Sequence, residues 1–259
     1  MKLGLQFKSA VIGSPLEPAA KQLRWMAGAK QRWQHPELWE LYLEERRLPL
    51  VLSKLLSRDA WCVDVGGHLG SFLTLLLTFA PEGRHCVFEA SPTKAQWLKR
   101  RFPTVEVFSV AVASAPGSAI FQENHKRSGY SRLKNGSPDC GDATTDVLVE
   151  TTTLDATLGR QRRIDFIKLD IEGAELAALR GATTVIAKHK PTLLFECTPL
   201  VVGDDRRALY EFVTQTLGYR IWTFGDFLFE KGPLGPDEFR KCGIYPFTAI
   251  NFVAAPSSR

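Results

Sequence analysis

The sequence predicts an α/β protein with a parallel sheet, and three observations predict it. Short apolar runs alternate with stretches of helical periodicity from Trp61 onward. A glycine-bearing turn, Gly66 to Gly70, joins the first run to the first helical stretch. Acidic residues stand at the ends of three runs, at Asp64, Glu89 and Asp170. Ligands of parallel sheets bind at that edge.

Residues 1–35 are basic and aromatic: Lys2, Lys8, Lys21, Arg24, Lys30 and Arg32 alternate with Trp25, Met26 and Trp33. They are expected to form a helical arm or lid on the domain, with contact to a membrane surface as the alternative. From Glu37 the pattern is helical, with Leu38, Leu41 and Tyr42 on one face. Pro49 suits the first turn of a second helix carrying Val51, Leu52, Leu55 and Leu56. The arm is therefore placed at 1–58 and the main domain at 59–259.

In the main domain, Trp61 to Val65 reads as a strand and Ser71 to Phe79 as an apolar helix. His85 to Glu89 is the second strand. Ser91 and Pro92 start a helix that runs to about Phe102, with a capping hydroxyl and a proline at its first position. Val105 to Val112 is the third strand. Residues 113–163 interrupt the alternation: strands Ala119–Gln122 and Val147–Thr151 flank a polar stretch, His125 to Thr145. A loop of that length is usually functional, and 126–145 is expected to close over an acceptor. The alternation resumes with strand Ile164–Ile171, helix Ala174–Lys188, strand Thr192–Cys197 and helix Arg206–Leu217, ended by Gly218. Tyr219–Phe224 and Ile250–Ala254 are the closing strands.

The composition, 44% hydrophobic and 24% charged over 259 residues, is that of a globular protein. The longest apolar stretch, Phe72 to Ala80, is too short to cross a bilayer. The start has no secretory pattern, so a cytoplasmic location is expected. Five cysteines, an odd number without a CxxC pair, are expected to be buried thiols. The net charge of +5 is modest, with both signs spread along the chain. No dense basic block and no Asn/Asp-Pro-Pro-aromatic sequence for a flipped base is present, so no nucleic-acid partner is expected.

The segment from Val63 to Gly70 places Asp64 before the glycine turn, in the spacing Asp-x-Gly-x-x-x-Gly with His68 in the middle. It is an imperfect dinucleotide fingerprint, which needs G-x-G-x-x-G. Glu89, 25 residues after Asp64, is spaced to accept ribose hydroxyls. Without a clean pyrophosphate loop, S-adenosylmethionine is favoured over a nicotinamide cofactor, because a sulfonium donor has no phosphates to cradle. Asp64 would help bind its amino group. The alternative is that Asp64 and Glu89 cap adjacent helices.

The third segment, Ile164 to Gly173, ends an apolar strand in Lys168-x-Asp170-x-Glu172-Gly173. Three charges in five residues must reach solvent, a ligand or each other. A structural ion pair with a helix cap is the other reading.

At these residues the chain resembles the FkbM family of methyltransferases. Val63–Gly70 is similar to the family's cofactor loop, Phe88–Pro92 to its ribose-binding strand end, and Val110–Val112 with Gly117 to its third-strand segment. Asp165–Glu175 followed by Leu179-Arg180-Gly181-Ala182 is the most specific stretch. Gly67 and His68 depart from the commonest loop residues. The resemblance implies a class I methyltransferase, Rossmann-like fold: a seven-stranded, mostly parallel sheet, helices on both faces, and an antiparallel last strand. It implies S-adenosylmethionine as donor, held by Asp64, Gly66, Gly67, His68, Gly70, Glu89, Ala90, Val110, Ala111 and Asp170. It also implies a hydroxyl acceptor on a saccharide, glycolipid or natural product. Asp170, Glu172, His68 and His125 are candidate bases, and Lys168 would orient them or lower a hydroxyl's pKa. The Asp170–Glu172 pair could take a divalent metal, but the sequence offers no third ligand. A nicotinamide-dependent oxidoreductase and a non-catalytic cofactor-binding domain are the competing readings.

Overall fold

A computed structural model describes residues 11–257 except 15, 127, 128, 130, 135–143 and 199–204. Helices α1 (Glu17–Ala27), α2 (Ala29–Gln34) and α3 (Trp39–Leu55) come first. Next are β1 (Cys62–Val65), α4 (Ser71–Phe79), β2 (His85–Phe88), α5 (Pro92–Arg101) and β3 (Glu106–Phe108). β4 (Ala111–Val112) follows, and the insertion supplies β5 (Gly117–Asn124), β6 (Arg132–Leu133) and β7 (Thr144–Thr152). Then come α6 (Leu154–Leu158), β8 (Phe166–Leu169), α7 (Glu175–Arg180), α8 (Thr183–His189) and β9 (Thr192–Glu196). The chain closes with α9 (Asp205–Glu211), β10 (Tyr219–Thr223), α10 (Phe224–Leu228), α11 (Pro236–Cys242) and β11 (Asn251–Pro256).

The main sheet has seven strands in the order β10-β11-β9-β8-β1-β2-β3. β1, β2, β3, β8 and β9 run parallel, and β11 enters antiparallel to both β9 and β10. All residues of β1, β2 and β8 are buried, as expected when helices cover both faces. One face packs Phe166, Val87 and Leu194 on Leu73 and Leu76 of α4, Leu98 of α5 and Val51 and Leu52 of α3. The other packs Ile167, Val63 and Phe195 on Leu179, Ile186, Leu209 and Val213. Adjacent residues Phe166 and Ile167 thus serve opposite layers, as the strand period requires.

Four elements differ from the expectation. Pro49 lies inside one continuous α3 rather than opening a second helix. Val51 and Leu52, completely buried against the sheet, hold the helix through the one hydrogen bond that proline removes. The third strand breaks in two: β3 pairs with β2, and β4 pairs with β7 in a second sheet. The helix expected over 174–188 divides into α7 and α8 at Gly181, where a Cβ would come within 2.4 Å of the Ala113 carbonyl. After α9 the helix widens to a π turn over Phe212–Thr216.

The second sheet, in the order β4-β7-β5-β6, joins the end of the third strand to the three strands of the insertion. Its two expected strands are longer than read and pair with each other, from Gly117↔Thr151 to Asn124↔Thr144. Most of the proposed lid, with Cys140, lies outside the described residues. At the amino-terminal side, Glu44 of α3 reaches β11. Its carboxylate accepts hydrogen bonds from Ile250 N (3.0 Å), Asn251 N (3.1 Å) and Asn251 Nδ2 (2.7 Å).

Candidate active site

The pairing of β1 with β8 sets Asp64 directly beside Lys168. The Lys168 ammonium faces three oxygens: Gly66 O at 3.0 Å, Asp64 Oδ1 at 3.1 Å and Asp170 Oδ2 at 3.2 Å. Lys168 is almost wholly buried and Asp64 completely so. Burial pulls the lysine pKa down, but Asp170 and Asp64 outweigh it and the net shift is upward. Lys168 therefore stays a cation, committed to tying two strand ends together. Burial raises the Asp64 pKa, with Lys168 opposing.

The glycine turn is shaped by close contacts. Gly66 has φ +84°, and a Cβ there would sit 2.0 Å from the Asp170 carbonyl. At Gly67 a Cβ would meet Val87 Cγ2 at 2.2 Å. His68 is held at φ +49°, where few residues other than glycine are found. Its backbone N–H donates to Glu89 Oε2 at 2.7 Å, and Ser91 N–H donates to Glu89 Oε1 at 2.8 Å. Glu89 is buried. That raises its pKa, against the pull of Lys94 and the two N–H donors.

A cavity of about 430 Å³ opens at this edge of the sheet. Gly66, Gly67, His68, Phe72, Glu89, Ala90 and Lys94 line it on the β1–β2 side. Val110, Ala111 and Val112 add an apolar wall, joined by Phe121 and Leu133 of the inserted sheet. Lys168, Asp170, Glu172 and Glu196 also line it. Of the residues expected to meet a donor, Asp64 and Gly70 are not in the lining. Asp64 supports Lys168, and Gly70, at φ +86°, leaves room for the Phe102 ring 2.4 Å from where its Cβ would lie. His125, a candidate base, is also not in the lining: it is exposed, with Nε2 2.7 Å from Thr145 Oγ1.

Sequence reasoning missed Glu196. β8 and β9 pair Leu169 with Phe195, so Asp170 and Glu196 follow side by side. The signal was available: Glu196 ends an apolar run as Glu89 does. Oxygens of Asp170, Glu172 and Glu196 lie within 4.8 Å of one another. That spacing suits shared protons, and it would suit a hard divalent cation. Burial and then Asp170 push the Glu172 pKa up to about 8. The same two causes push Glu196 up to about 10. Burial would raise Asp170 too, but Lys168 and a hydrogen bond with Glu196 hold it below the usual carboxylate value. Glu172 has φ +54°. Glu175 holds that turn by accepting from Ile171 N (2.9 Å) and Gly173 N (3.0 Å). A non-glycine residue kept in this conformation stores strain of a kind that clusters at functional sites.

A sheet of this order, with a ligand-sized cavity on its carboxyl edge and no phosphate-cradling loop among the described residues, defines a class I methyltransferase domain. Residues 64–221, well over half of the chain, match the methyltransferase FkbM domain, and the chain belongs to that family. Its fold is similar to that of methyltransferase FkbM from Methylobacillus flagellatus KT, with a TM-score of 0.50 and 19% identity over 78% of this chain and 47% of that one. The chain thus spans about half the length of that protein. A precorrin-6y C5,15-methyltransferase from Geobacter metallireducens GS-15 gives a TM-score of 0.38 and 18% identity, over 69% of this chain and 73% of that one. The likeness to the first, at 19% identity, is one of fold. No curated protein matches the chain.

Proposed function

We propose that this protein transfers the methyl group of S-adenosylmethionine to a hydroxyl of a saccharide, glycolipid or natural-product acceptor. One observation carries the reading. A single cavity holds a buried strand-end acid, Glu89, an apolar wall and a group of carboxylates. Those three features fit a ribose diol, an adenine ring and an α-amino group. The cavity volume is within the usual range for small-molecule sites. The turn at 66–70 directs the His68 N–H at Glu89, leaving it unsuited to the pyrophosphate of a nicotinamide cofactor.

When bound, the sulfonium supplies an activated methyl group and leaves as a neutral thioether. The chain's own residues do the rest. Glu89 accepts the diol. Asp170, kept ionised by Lys168, orients the amino group. Glu172 takes the acceptor's proton on a carboxylate oxygen as the new C–O bond forms, and His68 lines the same cavity. Alignment can contribute about 7–11 kcal/mol to such a step.

The test has two parts. Calorimetry should detect S-adenosylhomocysteine binding and none of NAD. Labelled methyl donor, incubated with saccharide, glycolipid and small-molecule fractions, should give a base-stable ether. Label found only in amines, or a nicotinamide cofactor bound in place of the donor product, contradicts the proposal. Donor-product binding with no label in any fraction would point to the non-catalytic alternative.

A further inference from the structure

The amino-terminal helices have an inward face and an outward face of different character. Inward, Trp25 of α1 meets Trp39 edge-on at 6.4 Å, with Arg32 and Arg46 over its ring at 3.8 and 4.9 Å. Arg101 of α5 holds the carbonyls of Ile12 and Gly13. Outward, Leu16, Leu23 and Met26 are 67%, 66% and 61% exposed, and Trp33 on α2 is 83% exposed. Ala19 and Ala27 are exposed in the same spacing, so positions 16, 19, 23, 26 and 27 form one apolar stripe. A helix ordinarily turns such a stripe toward the core. Here it faces away.

The charge around the stripe selects its occupant. Between residues 16 and 34 the basic residues are Lys21, Arg24, Lys30 and Arg32; Arg32 is turned in on Trp25, and Arg24 and Lys30 are exposed. The only acid in that stretch, Glu17, is buried and paired with Lys21 at 3.0 Å. A second copy packed on this face about a two-fold axis would set like charges against each other. An anionic lipid surface complements both the basic flank and the apolar stripe. Among the described residues no helix is long and apolar enough to cross a membrane. At 11 residues α1 is about 16 Å long, so it would lie in the interface plane. Trp33 has the amphipathic ring favoured at that depth.

We infer that α1 and α2 dock this protein on anionic membrane surfaces, with Leu16, Leu23, Met26 and Trp33 entering the headgroup layer. The inference does not depend on the acceptor.

The full chain should co-sediment with phosphatidylglycerol–phosphatidylcholine vesicles at low salt and lose most of that binding at 0.5 M salt. It should bind pure phosphatidylcholine at least tenfold more weakly. Leu23→Ser/Met26→Ser, at exposed positions, should reduce binding to anionic vesicles at least tenfold with unchanged circular dichroism. Brominated lipid should quench tryptophan fluorescence in the wild type and much less in Trp33→Phe, a readout independent of the double variant. Three results overturn the inference: no binding to anionic vesicles at low salt, equal binding by Leu23→Ser/Met26→Ser, or a wild-type dimer that the double variant converts to monomer without any vesicle binding.

Discussion

Lys168 Nζ lies 3.1 Å from Asp64 Oδ1, across the register that sets the two residues side by side on β8 and β1. Removing the cation would leave Asp64 buried beside no opposite charge. Lys168→Met should therefore cost about 3–5 kcal/mol. Urea unfolding measures it, and Lys168→Met with Asp64→Asn should recover part of the loss. A cost below about 1 kcal/mol for the single variant would show that the pair does not hold the strand ends.

Glu89 is expected to bind the donor's ribose. Glu89→Ala should weaken S-adenosylhomocysteine binding by about 10- to 100-fold, the scale of a lost hydrogen bond to a charged group. The fold should survive, since the orphaned His68 and Ser91 N–H groups would face a cavity that admits water. Unchanged affinity by calorimetry removes Glu89 from the donor site.

Glu172 is the expected proton acceptor. Glu172→Gln should lower turnover by about 100- to 10,000-fold with donor affinity nearly unchanged. Burial and Asp170 raise its pKa to about 8. The free-enzyme pH–rate profile should rise up to about pH 8, and that limb should vanish in the variant. A profile with the same rising limb in both proteins assigns the proton transfer elsewhere, with His68 the next to test.

Stability should fall as pH rises from about 4.5 to about 8. Burial is the main cause that raises the folded-state pKa of Glu44 and Glu175 to about 7 and of Glu172 to about 8, from a common 4.5. Across that window these three carboxyls hold fewer protons in the unfolded chain than in the folded one, which makes the slope of stability against pH negative; the buried His85, with its pKa lowered, opposes them only in part. Unfolding midpoints at pH 5 and pH 8 check the sign, and Glu172→Gln should flatten the slope.

Glu44→Ala should cost about 2–4 kcal/mol, because three N–H donors at the start of β11 lose their acceptor. Donor affinity should not change. Thermal unfolding and calorimetry together separate the two effects.

The strand–turn–helix order was legible because β1, β2 and β8 are fully buried runs, and an acid marks the carboxyl edge of each. Glu89 and Asp170 reach the cavity as their positions suggest. Asp64 and Gly70 show where local spacing stops informing. Asp64 precedes the turn and Gly70 ends it, yet one faces Lys168 and the other a Phe102 ring, neighbours supplied from 104 and 32 residues away. Glu196 was hidden for the complementary reason. Its meaning depends on the β8–β9 register, which pairing sets and composition does not. Pro49 misled because the buried Val51 and Leu52 outweigh a local breaker.

β11 sits inside the sheet, between β9 and β10, although it comes last in the chain. Its start is gripped by Glu44, from a helix that precedes the sheet. A ribosome that has not yet delivered residue 251 therefore holds a chain whose β9 has one bare edge, and Glu196 ends that strand. Until the final strand slots in, the nascent polypeptide exposes an unsatisfied ladder open to pairing with another chain. The helix that carries Glu44 is made before its partner, which lies 207 residues further on. The stretch of sheet edge that Glu196 shares with β11 is therefore complete only when residue 251 is in place.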